Sequence, residues 1–469
     1  MGVSALPEVP AQEWAKFVLQ IKGDVVTPEH PDYESAREAK NTVYNKKPAV
    51  VVRAADAADV SRTVTFARRF GVPLTVKGGG HSIGGHSVNN GGLVIDTRGM
   101  NAIRVDPLNR TAWAQSGAVA REFLAAVEPH GLAVPFGDAG SVGLGGITLG
   151  GGIGYLVRKH GLTIDNLIGV ELVTANGQII QASATERPDL FWGLRGGGGN
   201  FGVVTGFHYK LVEVPQIYGG ALVLPLDREV LSQYARLSLE APEELTTISM
   251  AIQAPPMPFI PEEQVGTPSL VVFVAYSGAV EDGPAAVAPL RALAQPIADT
   301  LGPMPLSGLY AYLEPAEAPA RARVRSGFFD EINDDIVART LEAVKNAPPS
   351  MSFLQVRPIG NGAMNRVPEE ATAFSHRGAR YMLAIIDHWE SENEDAQNEQ
   401  WVDSFWVSIR DYRRGVYSNF LQDEGESRVR EAYAEAAFER LARLKFQYDP
   451  TNLFSGNENI RPKPLRAAA

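Results

Sequence analysis

The chain has 469 residues, 45% of them apolar, with 46 Gly, 32 Pro and no Cys. That suits two or three domains around a sizeable core and excludes a disordered chain. Lys and Arg number 43 against 54 Asp and Glu, a net charge of −11 without any basic block, which argues against nucleic acid and anionic membranes as partners. The missing cysteine removes disulfides, thiolate metal sites, iron–sulfur clusters and a Cys nucleophile together, while leaving the redox compartment open. The first residues, MGVSALPEVPAQEWAKF, lack a basic stretch followed by an apolar one, and Leu6 breaks the myristoylation pattern, so neither a secretory leader nor a lipid anchor is expected. The most apolar run, 269–276, is too short to span a bilayer. A soluble, cytoplasmic protein is expected.

In chain order, β-type runs are predicted at 49–52, 73–76, 93–96, 169–174 and 179–182, with helices over 57–70 and 118–129 from their three- and four-residue apolar spacing. Ala175-Asn176-Gly177 marks a hairpin, since Asn-Gly accepts positive φ. Glycine clusters fall at 78–85, 137–154 and 196–206, all before residue 215. The first, Lys77-Gly78-Gly79-Gly80-His81-Ser82-Ile83-Gly84-Gly85-His86-Ser87, can fold into an anion-binding nest or form a plain surface loop, and His81 within it is either chemical or structural. No Gly-Lys-Ser/Thr follows, so it is not a P-loop. The third cluster contains Gly197-x-Gly199-x-x-Gly202 but follows a helix (188–194) and enters a strand (203–212), the reverse of the dinucleotide-binding order. Beyond 215 the texture changes. Strands are predicted at 220–224, 247–253, 269–276, 351–356, 380–389 and 415–420, and helices at 285–294, 331–346, 396–412 and 426–446. The last helix carries the stripe Val429, Tyr433, Ala436, Leu441, Leu444. The expected α+β architecture has residues 1–214 as one domain and 215–446 as a second, an antiparallel sheet covered by helices on one face. Residues 447–469 then return to the first domain.

Four motifs in this order, KGGGHSIGGHS, GDAGSVGLGGITLGGGIGYLVRKHGLTIDN, DLFWGLRGGGGNFGVVTGF and YDPTNLFSGNENIRP, resemble the FAD-linked oxidases of the vanillyl-alcohol-oxidase superfamily. Within it they are similar to the berberine-bridge-enzyme-like branch, especially its bacterial 6-hydroxy-D-nicotine-oxidase-like members. The resemblance implies a PCMH-type FAD-binding fold with its core at about 45–214. It implies FAD bound by Lys77, Gly78, Gly79, Gly80, Ser82, Ile83, Gly84, Gly85 and Ser87 of the first loop, and by Ser141, Gly143, Gly145, Gly146, Gly152 and Gly154 of the second. Val204 and the closing Asn457 and Asn459 complete that set, although Asn also caps turns. His81 matches the histidine joined to the flavin 8α-methyl, and His86 fits that position less well. Ala139 stands where many relatives place a second, cysteinyl link, so one link alone is implied. Ile147 replaces a histidine that many doubly linked members keep near the flavin. Val142 matches the residue associated with oxygen access and oxidase behaviour, or packs in the core.

The substrate side matches less well. Ala384 occupies a position where many relatives hold Gln or Glu. Strand alternation puts Met382, Ala384, Ile386 and His388 on one face, with Asp387 and Trp389 on the other. His388 is thus a candidate base or anchor, or an interface histidine. Tyr417 matches the tyrosine of the family's AYxNY pattern, as a proton acceptor, an orienting phenol or a buried structural residue; Phe420 replaces the second tyrosine. Met382, Ile386, Phe420 and Trp389 favour a substrate with an apolar body. His376 reads as structural, and His30, His130, His160 and His208 lack metal-ligand spacing, so no metal is expected. The expected activity is an FAD-dependent oxidase taking hydride from a small amine, alcohol or sugar-like molecule and passing electrons to O2 with release of H2O2. A dehydrogenase of the same fold and a flavin-retaining cyclase are the alternatives. The expected partners are a small molecule and O2, with the protein a monomer or homodimer.

Overall fold

A computed structural model describes residue 6 and residues 8–464. The leader reading therefore falls partly on residues 1–5 and 7, outside the described ones. Among the described residues, no helix is long and apolar enough to cross a membrane.

Three large sheets and one two-stranded sheet, Leu132–Ala133 with Val212–Glu213, organise the described residues. The first has four strands in the order Asp24–Val26, Val50–Arg53, Leu93–Asp96, Leu74–Lys77, the last three parallel. The helix Ala57–Phe70 makes the crossover, started by Asp56, whose carboxylate accepts from the N–H groups of Ala58 and Asp59. The second sheet is antiparallel, in the order Ile103–Asp106, Thr111–Gln115, Val203–Lys210, Leu167–Val173, Ile179–Ser183.

The third sheet, all antiparallel, fills the later half. Its path runs from Ala298–Asp299 through Ile217–Pro225, Pro268–Tyr276, Leu245–Gln253, Met351–Pro358, Tyr381–Trp389 and Arg321–Phe329 to Arg413–Gly415, with Gly302–Met304 paired beside Ile217–Pro225. Alternation divides its side chains between two cores. Leu383 and Ile385 pack with Leu231, Val337 and Phe405 of the helices Arg228–Glu240, Asp334–Lys345 and Asp395–Ile409. Ala384 and Ile386 face the opposite way, into the core that holds Phe136, Tyr155 and Phe207 of the earlier half.

Several elements differ from expectation, each for a local reason. The predicted helix 426–446 is two, Glu426–Glu431 and Glu435–Tyr448. Between them Ala434 donates its N–H to Ser375 Oγ at 2.9 Å, and Tyr433 turns toward the interior. The predicted strand 415–420 ends at Gly415, and Ser418–Phe420 forms a 3-10 turn. The strand Arg321–Phe329 carries no apolar alternation at its start, because Arg321, Arg323 and Arg325 meet Asp395, Asp403 and Glu424 there. Glycine hides the short helix Leu144–Leu149, and the capped helix Arg228–Glu240 was not expected at all.

Buried charges tie the halves together. Arg158, 1% exposed, donates to the carbonyls of Leu239, Ala241, Pro242, Leu245 and Gly360, which includes the carboxyl end of the helix Arg228–Glu240, where a cation is favoured. Arg377 Nη2 lies 2.7 Å from Asp165 Oδ1. The tail is pinned by Lys445, whose Nζ donates to Asp449 Oδ2 at 2.7 Å, Phe454 O at 2.8 Å and Asn200 O at 2.9 Å, with both side chains fully buried. Replacing Lys445 with Met leaves the Asp449 carboxylate buried beside an uncharged neighbour. A loss of about 3–5 kcal/mol is expected, read as a lower urea midpoint with unchanged slope; an unchanged midpoint would contradict the role given to this pair.

Candidate active site

The first two glycine clusters meet at their backbones. The first leaves the strand Leu74–Lys77, and the second precedes the helix Leu144–Leu149. A Cβ on Gly79 would lie 2.4 Å from Gly143 N, and one on Gly143 would lie 2.4 Å from Gly79 N, so neither position admits a side chain.

Around this contact lies a cavity of about 490 Å³. Gly78, Gly79, Gly80, His81, Ser82, Ile83, His86 and Ser87 line it from the first loop, and Val142, Gly143, Gly145 and Gly146 from the second. Val204, Asn457, His388 and Tyr417 line it as well. The other predicted positions sit behind this wall. Lys77 is turned away, its Nζ donating to Ala36 O at 2.7 Å. Gly84 packs against the His86 ring and Gly85 against Tyr44. Ser141 supports His81, Gly152 supports Tyr417, and Gly154 lies under the Phe136 carbonyl. Asn459 keeps its Oδ1 buried with no hydrogen-bond partner. Met382 and Trp389, expected near the substrate, do not line the cavity; Met250 and Phe353 do.

His81 is held by Ser141, with Nε2 and Oγ 2.7 Å apart. Ser141 is held in turn by Glu317, whose carboxylate accepts from Gly140 N at 2.7 Å and Ser141 N at 3.1 Å and pairs with Arg121. Burial first, then the positive charges of Lys40 and Arg121, push the His81 pKa down to about 4, so the imidazole is neutral near pH 7.

At the opposite wall, the Tyr417 hydroxyl accepts from Gly152 N at 3.0 Å and Asn419 Nδ2 at 2.9 Å. Burial raises its pKa. It is a neutral phenol whose own proton remains to donate, and a resting phenolate is disfavoured. The Tyr417 and Phe420 rings stack at 5.6 Å. His388 has an Nδ1 buried without a partner and a pKa pushed by burial to about 4.

Sequence reasoning passed over Gln355 and Arg357. Gln355 lies directly across from Ala384 on the neighbouring strand. Arg357 donates to Gln355 Oε1 and to Asp138 Oδ2, each at 2.7 Å. The signal was present, because two polar side chains at alternate positions of an apolar strand need buried partners. Glu317 left no such signal.

The wall fits a large polar cofactor. Glycine at 79 and 143 lets the two loops touch through their backbones, which closes them into one wall bare of side chains there. Ser87 Oγ, Ser116 Oγ and Asn457 Oδ1 line it as buried atoms without partners, although buried polar groups are normally satisfied.

Comparison with known proteins agrees. The chain matches the family profile described as FAD binding domain over residues 48–183, and that described as berberine and berberine like over residues 416–461. It is 30% identical over 453 residues to the FAD-linked oxidoreductase YgaK of Bacillus subtilis, covering 94% of this chain and 98% of that protein. It is 28% identical over 471 residues to the (R)-6-hydroxynicotine oxidase of Paenarthrobacter nicotinovorans, covering 95% and 98%. The crystal structure of 6-hydroxy-D-nicotine oxidase from Arthrobacter nicotinovorans superposes with a TM-score of 0.86 at 25% identity, covering 95% of this chain and 99% of that one.

His160 shares the low pKa of His388, also about 4 and mainly through burial. The unfolded chain takes up protons at these rings below its ordinary value of 6.5, whereas the folded chain resists until about 4. Their contribution is therefore complete above that ordinary value and is lost as the pH falls toward the folded one. The urea midpoint should drop between about pH 7 and pH 5, and His388→Asn should flatten the drop; equal slopes in the two proteins would contradict the assignment.

Proposed function

The chain belongs to the berberine-bridge-enzyme-like FAD-linked oxidoreductases, and from that premise we propose that it is an oxidase carrying FAD on a single covalent bond to His81. The observation that carries the reading is the glycine-walled cavity, with a neutral, Ser141-braced histidine at its rim and unsatisfied polar atoms inside. When bound, FAD supplies a two-electron acceptor that takes hydride from carbon and returns the electrons to O2 as H2O2.

The division of labour follows the chain. The described residues up to 214 cradle the cofactor, 215–446 supply the substrate wall, and 447–464 close back over the cofactor; residues 465–469 of the expected closing segment lie outside the described ones. Support for the last part comes from Asn457, whose Nδ2 donates to Gly199 O at 3.1 Å, and from Ile460, whose N–H donates to Asn200 Oδ1 at 3.0 Å.

Each residue has a distinct task. A neutral His81 keeps a nitrogen lone pair for the flavin 8α carbon, and Ser141 fixes the ring. Without any cysteine, a second link at Ala139 is impossible. His388 accepts a hydrogen bond from the substrate at its neutral ring; its low pKa makes it an orienting acceptor more than a proton store. Tyr417 donates its remaining proton toward the substrate's polar atom. Val142 leaves room for O2 beside the flavin. The substrate is a small amine, alcohol or sugar-like molecule.

Reoxidation tests this reading. Photoreduced enzyme mixed with aerated buffer should regain its oxidised spectrum within seconds and release one H2O2 per flavin. Val142→Leu should slow that step about ten-fold, a barrier increase near 1.4 kcal/mol. Reoxidation over many minutes, with fast electron transfer to a dye, would replace the oxidase with a dehydrogenase.

A further inference from the structure

The substrate wall is built by neighbouring strands of the large sheet, and its composition is lopsided. Met250, Val324, Phe353 and Ile386 face the cavity, and the polar side chains that these strands add are Gln355, Arg357 and His388. Of these, Arg357 is committed to protein groups, and Gln355 is engaged at its Oε1. Arg357 donates Nε to Gln355 Oε1, Nη2 to Asp138 Oδ2 and Nη1 to Ile153 O. Asp138 neutralises its charge in a pair whose side chains are 4% and 17% exposed. The guanidinium also lies 5.3 Å from the centroid of the Phe420 ring.

His388 is the exception. Its ring lies 6.4 Å from that of Phe353, and its Nδ1 is buried without a partner. These strands therefore offer an apolar surface, one neutral imidazole whose Nδ1 has no partner and no unpaired charge, and Tyr417 adds a phenolic proton to the same cavity.

We propose that this wall selects a neutral, apolar-bodied carbinol, an aryl or alkyl alcohol with one polar group, over sugars and cationic amines. The inference rests on the oxidase reading of the same cavity and narrows it. A cationic amine would shed its water with no unpaired carboxylate on the wall to receive it. A pyranose would press several hydroxyls against Met250, Phe353 and Ile386, where none finds a partner. A carbinol donates its O–H to the neutral His388 ring and packs its body on Phe353 and Phe420. In the oxidation, the carbinol C–H leaves as hydride and its O–H as a proton, leaving a carbonyl. The two electrons and two protons end on O2 as H2O2, so alcohol and O2 give carbonyl compound and peroxide.

The test uses the purified flavin-containing enzyme under nitrogen, titrated with benzyl alcohol, benzyltrimethylammonium and D-glucose. The first two share a ring and differ in charge; the third isolates polarity. Without O2 the flavin can be reduced but not reoxidised, so bleaching of its absorption band reports hydride transfer from the alcohol, and shifts of Tm report binding of all three compounds. Benzyl alcohol should bind about ten-fold more tightly than either competitor, and Phe353→Asn should weaken it about ten-fold. If that variant fails to fold, Ile386→Thr serves the same purpose. Glucose or the ammonium compound binding as tightly as the alcohol, no binding of the alcohol, or an alcohol affinity unmoved by the wall variants would overturn the proposal. Protein that lacks flavin or stays reduced in air would overturn the oxidase reading instead, so the two failures are distinguishable.

Discussion

At Gly79 and Gly143 two loops touch through their main chains, and most of the site depends on that contact. A side chain at either position would meet backbone nitrogen at 2.4 Å, which no rotamer relieves. With the loops this close, Ser141 reaches the His81 ring, and Val142, Gly145 and Gly146 form one continuous wall with Gly78 and Gly80. The contact is enforced from outside by Glu317, which grips the N–H groups of Gly140 and Ser141. Close backbone approach is the function that glycine alone provides.

The opposite wall is set at a fixed distance by buried cations. Arg158 and Arg377 hold the later half against the earlier one, and Arg357 holds the substrate wall against Asp138 of the second glycine loop. Buried ion pairs add little net stability, but breaking one is costly. Their use here is geometric: they fix where His388 and Tyr417 stand relative to His81. The same neutralisation leaves the substrate wall without a free charge, which is why the proposed substrate is neutral.

Much of this was legible in the sequence, and the rest was hidden for identifiable reasons. The glycine loops, the paired cores of the strand Tyr381–Trp389 and the inward face of His388 follow from composition and period-two alternation. The strand Arg321–Phe329 was lost because its arginines face carboxylates on a helix some seventy residues later (Asp395, Asp403), a compensation no local pattern records. The break between Glu431 and Glu435 was lost because helical spacing continues across it, while Tyr433 serves the cavity. The resemblance implies Lys77 among the FAD-binding residues, yet a carbonyl forty-one residues earlier in the chain takes its ammonium group. Glu317 and Arg357 matter through tertiary partners, so neither could be ranked from its neighbours.

Mass spectrometry of the denatured protein shows most directly whether His81 carries the cofactor. The intact chain should be heavier than its sequence by one FAD less the two hydrogens lost in forming the bond, with the added mass confined to the proteolytic peptide containing His81. A denatured chain of unmodified mass, or flavin on a peptide without His81, would contradict the account.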